Sequence, residues 1–481
     1  MGDSTSGAGS GRIVGVLALA GIVASVMQTL VVPLIGELPQ ILHTSASNAT
    51  WAITGTLLAA AVATPVTGRL GDLYGKKRMM LTLLAPLIAG SVVCALAGSL
   101  APMIVGRGLQ GIGMGIVPLA VSALRDLLPP ERLGSAIALI SASMGIGGAL
   151  GLPISAAVAE QASWRVLFWG SAVLSLLVAV ATWLVVPATP VKARARFDPL
   201  GALGLGVGLL CLLLGVSKGS DWGWTSGTIL GLFAVSLVVL PVWALWELRT
   251  GDPLIDLRVT ARPQVLLTNV ASIVVGFAMY AQALIVPQLL QLPEATGYGL
   301  GTSMLGAGLA MAPGGLMMML LAPVGGKLTA ARGPKVTLFA GTLVIALGYA
   351  SSLVLMGSVW GLVLVGCICN TGVGLAYGAM PALIMGAVPV SETASANSFN
   401  TLMRSIGTAV SATVVGVVLA QMTVQLGGHA LPSEQGFRVG LLLGGGSALL
   451  AAAITLTIPA RRAARPAEHV ITADVPAEVV A

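Results

Sequence analysis

Fourteen stretches of this chain are apolar and long enough to cross a lipid bilayer, and that pattern fixes most of what the chain can fold into. A membrane-spanning helix needs about 20 predominantly apolar residues. The runs fall at 13–38, 50–70, 79–99, 102–124, 134–159, 166–187, 199–217, 226–247, 264–291, 300–327, 336–356, 359–386, 396–424 and 437–459. Only 9% of the 481 residues are charged, against about 25% in a soluble domain. The expected fold class is therefore an all-α polytopic membrane protein with fourteen spans. The net charge of +7 does not point to nucleic acid, because the basic residues lie in short loops between apolar runs. Cys94, Cys211, Cys367 and Cys369 fall within apolar runs and read as small buried hydrophobes, neither disulfides nor a metal site. The leader MGDSTSGAGSGR has no cleavable-signal pattern, since the apolar run after it is too long for a signal h-region.

A second feature is internal repetition. Residues 68–77 read GRLGDLYGKK, the densest charge cluster in the chain, and residues 326–335 read GKLTAARGPK. Gly68 matches Gly326, Leu70 matches Leu328, Gly75 matches Gly333 and Lys77 matches Lys335, each segment following a Pro-Val pair. The main loss is the acid Asp72, replaced by Ala330. A second echo pairs VPLIGELP at 32–39 with VPQLLQLP at 286–293. Two echoes in the same order argue for a duplicated half. Helices 1–6 (13–187) form one half and helices 9–14 (264–459) the other. Helices 7 and 8 have no counterpart and read as an inserted pair within residues 188–263. Residues 1–12 and 460–481 are tails.

Basic residues favour the cytoplasmic side of short loops. With an even span count and the N-terminus placed in the cytoplasm, 19 of the 24 Lys and Arg fall on the inner side. Arg165, Lys218 and Arg438 fall outside, and Arg107 and Arg404 lie within spans. Both termini are then cytoplasmic. Trp51, Trp164, Trp169, Trp222, Trp224 and Trp360 lie near predicted outer ends, and Trp243 and Trp246 near an inner end, as interfacial belts would.

GRLGDLYGKK resembles the signature loop between helices 2 and 3 of the major facilitator superfamily. Fourteen helices with an inserted central pair resemble its drug:proton antiporter branch, mostly bacterial multidrug and antibiotic exporters of the cell membrane. Three further stretches carry the resemblance, which covers residues 13–459. RGLQGIG at 107–113 resembles the branch's RxxQGxG signature in helix 4. GIGGALGLP at 145–153 resembles its Gly/Pro-rich antiporter motif in helix 5. NTLMRSIG at 400–407 resembles its NxxRxxG pattern in helix 13. Two departures stand out. Where the branch usually has an Asp in helix 1, the aligned residue here is Met27 or Leu30. In the antiporter motif, Leu152 separates the Gly and Pro that are usually adjacent, and Ser155-Ala156 replace a glycine pair.

Several residues emerge as candidates for the mechanism. The loop comprises Gly68, Arg69, Asp72, Gly75, Lys76 and Lys77. The resemblance implies that Asp72 locks the outward-facing state, pairing with an Arg on helix 4 and facing a helix N-terminus of the other half. Arg125 is the candidate Arg, and the N-terminus is that of helix 13, near 394–397. The plainer alternative is a solvated loop that only sets topology. Arg107 sits about five residues into helix 4, roughly 8 Å deep at 1.5 Å per residue. Intramembrane arginines normally face a cavity with a partner, so Arg107 is expected to tune a nearby acid or contact cargo, with snorkelling to headgroups as the alternative. Glu37 is the candidate proton carrier, following a helix-1 Pro and Gly, with water contact at the helix boundary as the alternative. Gly145, Gly148, Gly151 and Pro153 suit close packing and a hinge in helix 5. Gln28, Thr29, Tyr280, Gln282, Asn370 and Asn400 either line a substrate cavity or satisfy helix–helix hydrogen bonds. Arg404 pairs with an acid, contacts cargo or snorkels.

The expected function is secondary active export of amphipathic or lipophilic compounds, drugs or antibiotics, from the cytoplasm by proton antiport and alternating access. No cofactor is expected, the proton gradient being the driving force, and the partners are a small-molecule substrate, protons and membrane lipids. The family plan is complete in one chain, which implies a monomer. The alternatives are a facilitator or importer without proton coupling and, from another class, a non-transporting membrane sensor or scaffold. An enzyme is not expected, as no metal, nucleophile or phosphate-binding constellation is present.

Overall fold

A computed structural model describes residues 7–31, 34, 38–188, 195–426 and 429–459. Fourteen helices within them are long and apolar enough to cross a membrane. They are α1 (Gly7–Thr29), α2 (Trp51–Tyr74), α3 (Lys76–Leu96), α4 (Leu100–Leu127), α5 (Pro130–Gln161), α6 (Arg165–Val185), α7 (Pro199–Trp222), α8 (Gly227–Arg249), α9 (Pro263–Gln291), α10 (Met304–Arg332), α11 (Pro334–Leu355), α12 (Val359–Met385), α13 (Thr393–Gln421) and α14 (Glu434–Thr457). In hydrocarbon a helix is the one open-ended element that pairs all its backbone groups internally. Several boundaries differ from the apolar runs, among them the start of α1 at Gly7, inside the stretch 1–12 read as a tail. α1 stops at Thr29 rather than continuing to 38. α4 is interrupted after Gly113 and resumes at Ile116, and α10 is interrupted between Leu320 and Ala322. A short hairpin that the sequence pattern did not suggest, β1 (Thr423–Leu426) with β2 (His429–Pro432), joins α13 to α14.

Two apolar cores form. One gathers side chains of α1 to α6, such as Leu17, Met80, Leu119 and Phe168. The other gathers α9 to α14 around Ile285, Leu338, Tyr349 and Phe437, and takes in Ala138 and Ala142 from α5. A third cluster is built on the inserted pair. Leu205, Leu209 and Leu213 of α7 pack with Leu58 and Ala61 of α2 and with Phe399 and Leu402 of α13. α7 thus lies along the seam between the halves. α8 packs mainly on α7 and buries only Ile229, Ser236, Trp243 and Glu247, as a lipid-facing helix would.

Candidate functional site

The turn at the heart of the α2–α3 loop depends on one residue. Gly75 has φ +93°, a backbone conformation that L side chains avoid. It closes α2 and opens α3 with no intervening linker, which buries Asp72 and Lys76 while Tyr74 and Arg78 stay exposed. The end of the bundle that carries this loop is called the basic end below.

Asp72 is 5% exposed and aims at the start of α13. Its Oδ1 accepts from the Ala394 backbone N–H at 3.1 Å, and its Oδ2 from that of Ser395 at 2.8 Å. α8, α10, α12 and α14 are each capped by the serine before them: Ser226, Ser303, Ser358 and Ser433. α13 is not, since its own N-cap residue Glu392 makes no side-chain cap bond. The helix takes its cap from the opposite half. A carboxylate at a helix N-terminus contributes about 0.3–1 kcal/mol when exposed and up to ~2 kcal/mol when partly buried. The approach is close because Gly68 has no side chain; a Cβ there would strike Ser398 and come within 2.8 Å of the Ala394 carbonyl.

Arg125 also reaches α13, but Asp72 is not its partner. Its Nη1 donates to Thr393 Oγ1 at 2.9 Å and to the Val388 carbonyl at 3.3 Å. The Asp72 oxygens are directed at backbone N–H groups, so the guanidinium satisfies acceptors just before them. Ser122 Oγ donates to the Thr393 carbonyl and accepts from Asn397 Nδ2. Lys76 turns inward within its own half, with Nζ 2.6 Å from Asp126 Oδ2 and 3.3 Å from the Ser122 carbonyl. Lys77 Nζ donates to the Trp183 carbonyl in the last turn of α6 at 2.9 Å. Arg69 is buried, and its Nε is enclosed without a partner. Higher in the seam, Ser141 Oγ of α5 donates to the Tyr377 carbonyl of α12 at 3.1 Å. Among the described residues, the direct hydrogen bonds between the two halves run from the basic end up to this contact and no further.

Glu37 lies outside the described residues, as do Lys192, Arg194, Arg461, Arg462 and Arg465. Arg107 is 1% exposed and does not face an acid. Its Nε donates to the Ala52 carbonyl at 2.7 Å, and its Nη1 to the Met27 carbonyl at 2.9 Å and to Gln110 Oε1 at 2.8 Å. Gln110 Nε2 in turn donates to Ser91 Oγ. Arg107 therefore ties α1, α2 and α4 together, in contrast to the expected cavity or headgroup position, because backbone carbonyls satisfy it.

The α5 glycines form a packing seam with two sides. Gly151 and Gly148 lie against Thr29 and Ser25 of α1, while Gly145 lies against Met318 of α10, and Pro153 against Gly308. α5 runs through Pro153 as one helix. Of the uncharged polar candidates, Asn400 serves packing and not a cavity: at 1% exposed, its Nδ2 donates to Asn269 Oδ1 and Ser272 Oγ, both at 2.8 Å. Thr29 donates to its own helix, and so does Asn370. Gln28 is exposed and touches Met114 Sδ. Tyr280 is half-buried and Gln282 buried. Trp243 is buried, its indole N–H donating to Glu247, while Trp246 stays exposed and donates to Asp198. Arg404 is 8% exposed, with its guanidinium carbon 4.2 Å from the centre of the Tyr377 ring.

Ser122 and Thr393 escaped the sequence reading as seam residues, as did Asp126 as the partner of Lys76. The available signal was the polar run TASANSFN opening an otherwise apolar helix.

The chain can now be set beside known proteins. The family model of the Major Facilitator Superfamily matches residues 17–412. The uncharacterized MFS-type transporter YhcA of Bacillus subtilis (strain 168) is 28% identical over 301 residues, 62% of this chain and 56% of its own length. The probable multidrug resistance protein EmrY of Escherichia coli (strain K12) is 30% identical over 393 residues, 78% of this chain and 74% of its own. The alignment thus spans little more than half of YhcA and about three quarters of EmrY. Among solved structures, the proton:xylose symporter XylE bound to 6-bromo-6-deoxy-D-glucose is similar in fold, with a TM-score of 0.64 at 14% identity, covering 94% of this chain and 96% of that one. With fourteen apolar helices and a family match across most of the sequence, this is a multi-pass membrane protein, and it belongs to the Major Facilitator Superfamily.

Proposed function

We propose that the chain exports amphipathic or lipophilic compounds, including drugs or antibiotics, from the cytoplasm in exchange for protons, with the proton gradient as the driving force. In this reading it works as a monomer in the cell membrane, with both termini and the basic end cytoplasmic. The observation that carries it is the capping of α13 by Asp72 from the opposite half. A seam closed by a few polar contacts on a glycine crossing can open without dismantling either core, which is what alternating access requires. The multidrug-resistance name of EmrY agrees with such a cargo. A second reading, a facilitator or importer without proton coupling, is favoured by α1, which carries no acid, and by Arg107, which backbone carbonyls satisfy in place of a carboxylate.

Purified protein in proteoliposomes with an imposed pH gradient separates the two. Accumulation of a lipophilic substrate against its own gradient, abolished by a protonophore, is expected. Equilibration that ignores the pH gradient would replace antiport by the facilitator reading.

A further inference from the structure

We propose that the cargo carries an anionic group, such as a carboxylate or sulfonate, on an apolar body, and that Arg404 receives it between the two halves. This rests on the transport reading above and names its substrate class.

The first ground is the distribution of charge. Among the described side chains, the acids lie in loops or within two residues of a helix end: Asp72, Asp126, Asp221 and Glu247, for example, are each one or two positions from the end of α2, α4, α7 and α8. Among the described residues, Arg107 and Arg404 are the only Asp, Glu, Lys or Arg more than five residues inside a spanning helix. Both are cationic. Membrane-embedded arginines normally find an acidic or carbonyl partner. Arg107 has found its partners in two backbone carbonyls and a glutamine.

Arg404 has not. Its Nη2 reaches Thr401 Oγ1 at 3.5 Å, and its flat face lies on Tyr377. Nε and Nη1 have no hydrogen-bond partner among the described residues. Neither atom belongs to the enclosed polar atoms that lack partners, so both open onto accessible space. A guanidinium held flat by a ring, with donors left over, is a preorganised receptor for a planar anion.

The second ground is position. Arg404 lies eleven residues after Thr393, the first residue of α13, about 16 Å along the helix at 1.5 Å per residue and so near the middle of a ~30 Å hydrocarbon core. Tyr377 is the residue whose carbonyl takes the uppermost hydrogen bond between the halves, from Ser141. The pair therefore sits where the closed part of the seam ends. The Tyr377 hydroxyl meets Met279 Sδ at 3.0 Å, and Met318 packs in the same core. Thioether side chains of this kind form an adaptable apolar surface. An anion with an aromatic or aliphatic body would find both a charge partner and that surface. A lipophilic cation would meet the positive charge of Arg404 and no described acid within a span.

The test uses the full chain in detergent and three tritiated probes of one shape: a bulky arylcarboxylate, the matched aryl alcohol and the matched arylmethylammonium. The wild type is expected to bind the carboxylate at least ~10-fold more tightly than the ammonium. Arg404→Gln is expected to weaken the carboxylate by roughly 10- to 100-fold, the range for losing a hydrogen bond to a charged group, while the alcohol is unchanged. Arg404→Lys is expected to recover part of the loss, and Tyr377→Phe to keep most of the affinity, which a merely structural Arg404 would not produce. Preference for the ammonium, no carboxylate binding by the wild type, or equal carboxylate affinity in Arg404→Gln would each overturn the assignment. Flux of the same probes in proteoliposomes is read separately. Carboxylate binding without flux of any probe would sink the transport reading and leave the anion site standing.

Discussion

The two copies of the signature loop, at 68–77 and 326–335, have the same skeleton and differ in what they do at the seam. Gly75 and Gly333 take the same left-handed turn, with φ +93° and +87°. Lys77 and Lys335 do the same work, each donating to carbonyls at the end of the last helix of its half: Trp183 in α6, and Leu456 and Ile458 at the end of α14. Gly68 lies against Ser398 of α13, and Gly326 against Ser135 of α5, so each half crosses the other on a glycine. The acid is where they part. Asp72 is buried on the first turn of α13, whereas Ala330 is exposed. The helices they face explain the difference. α5 starts after Pro129 with Pro130 in its first turn, so some of the N–H groups that would need a cap do not exist. α13 starts Thr-Ala-Ser with its full set of N–H donors. An acid is needed at one crossing and has little to do at the other, and only one crossing is electrostatically locked.

The largest effects are expected at what the two crossings share. Gly68→Val and Gly326→Val should each disfavour closure by about 1–3 kcal/mol, the usual cost of overpacking. Double electron–electron resonance between spin labels at Glu131→Cys and Arg332→Cys, in a chain whose four native cysteines are replaced, reads the spacing of the basic end. A shift to longer distances in both variants is expected; a shift in one alone would show that the crossings are not equivalent. Asp72→Ala comes next, on the locked side only. It removes two charge-assisted bonds and leaves two N–H groups bare, for about 1–3 kcal/mol against the closed seam. The same labels should report opening, and an unchanged distance distribution would mean that the α13 cap does not hold the seam. The smallest effects are expected at the shared lysines. Lys77→Met and Lys335→Met should each lower thermal stability in detergent by an amount corresponding to about 0.5–1 kcal/mol, without altering the spin-label distances. A change in those distances would move the lysines from holding each half together to controlling the seam.

Most of the fold was legible because a bilayer imposes a coarse rule: long apolar runs become helices, and the repeat of 68–77 at 326–335 marks the pairing of halves. Details set by the backbone were not legible. Asp72 was expected to take both Arg125 and the start of helix 13 near 394–397; it bonds the N–H groups of Ala394 and Ser395 there, while Arg125 turns to Thr393 and Val388. Arg107 was expected to seek an acid, and the carbonyls of Ala52 and Met27 satisfy it. The Lys76–Asp126 pair joins positions far apart in sequence and has no periodicity to announce it. Asn400 was a cavity candidate by its location in a span, but only coordinates show Asn269 and Ser272 within reach. The resemblance did direct attention to the start of α13, where the polar run TASANSFN stands out against its apolar surroundings.

The borrowed cap of α13 has a consequence for the solvent. A helix with its own serine cap keeps its first N–H groups paired whichever way the bundle leans, but α13 has Asp72 only while the seam is shut. When the halves part, both the freed carboxylate and the bared N–H groups must be hydrated. If the halves part as proposed, opening the basic end is a water-consuming step, and solutes that are excluded from the protein surface and lower water activity should hold the seam shut without binding in it.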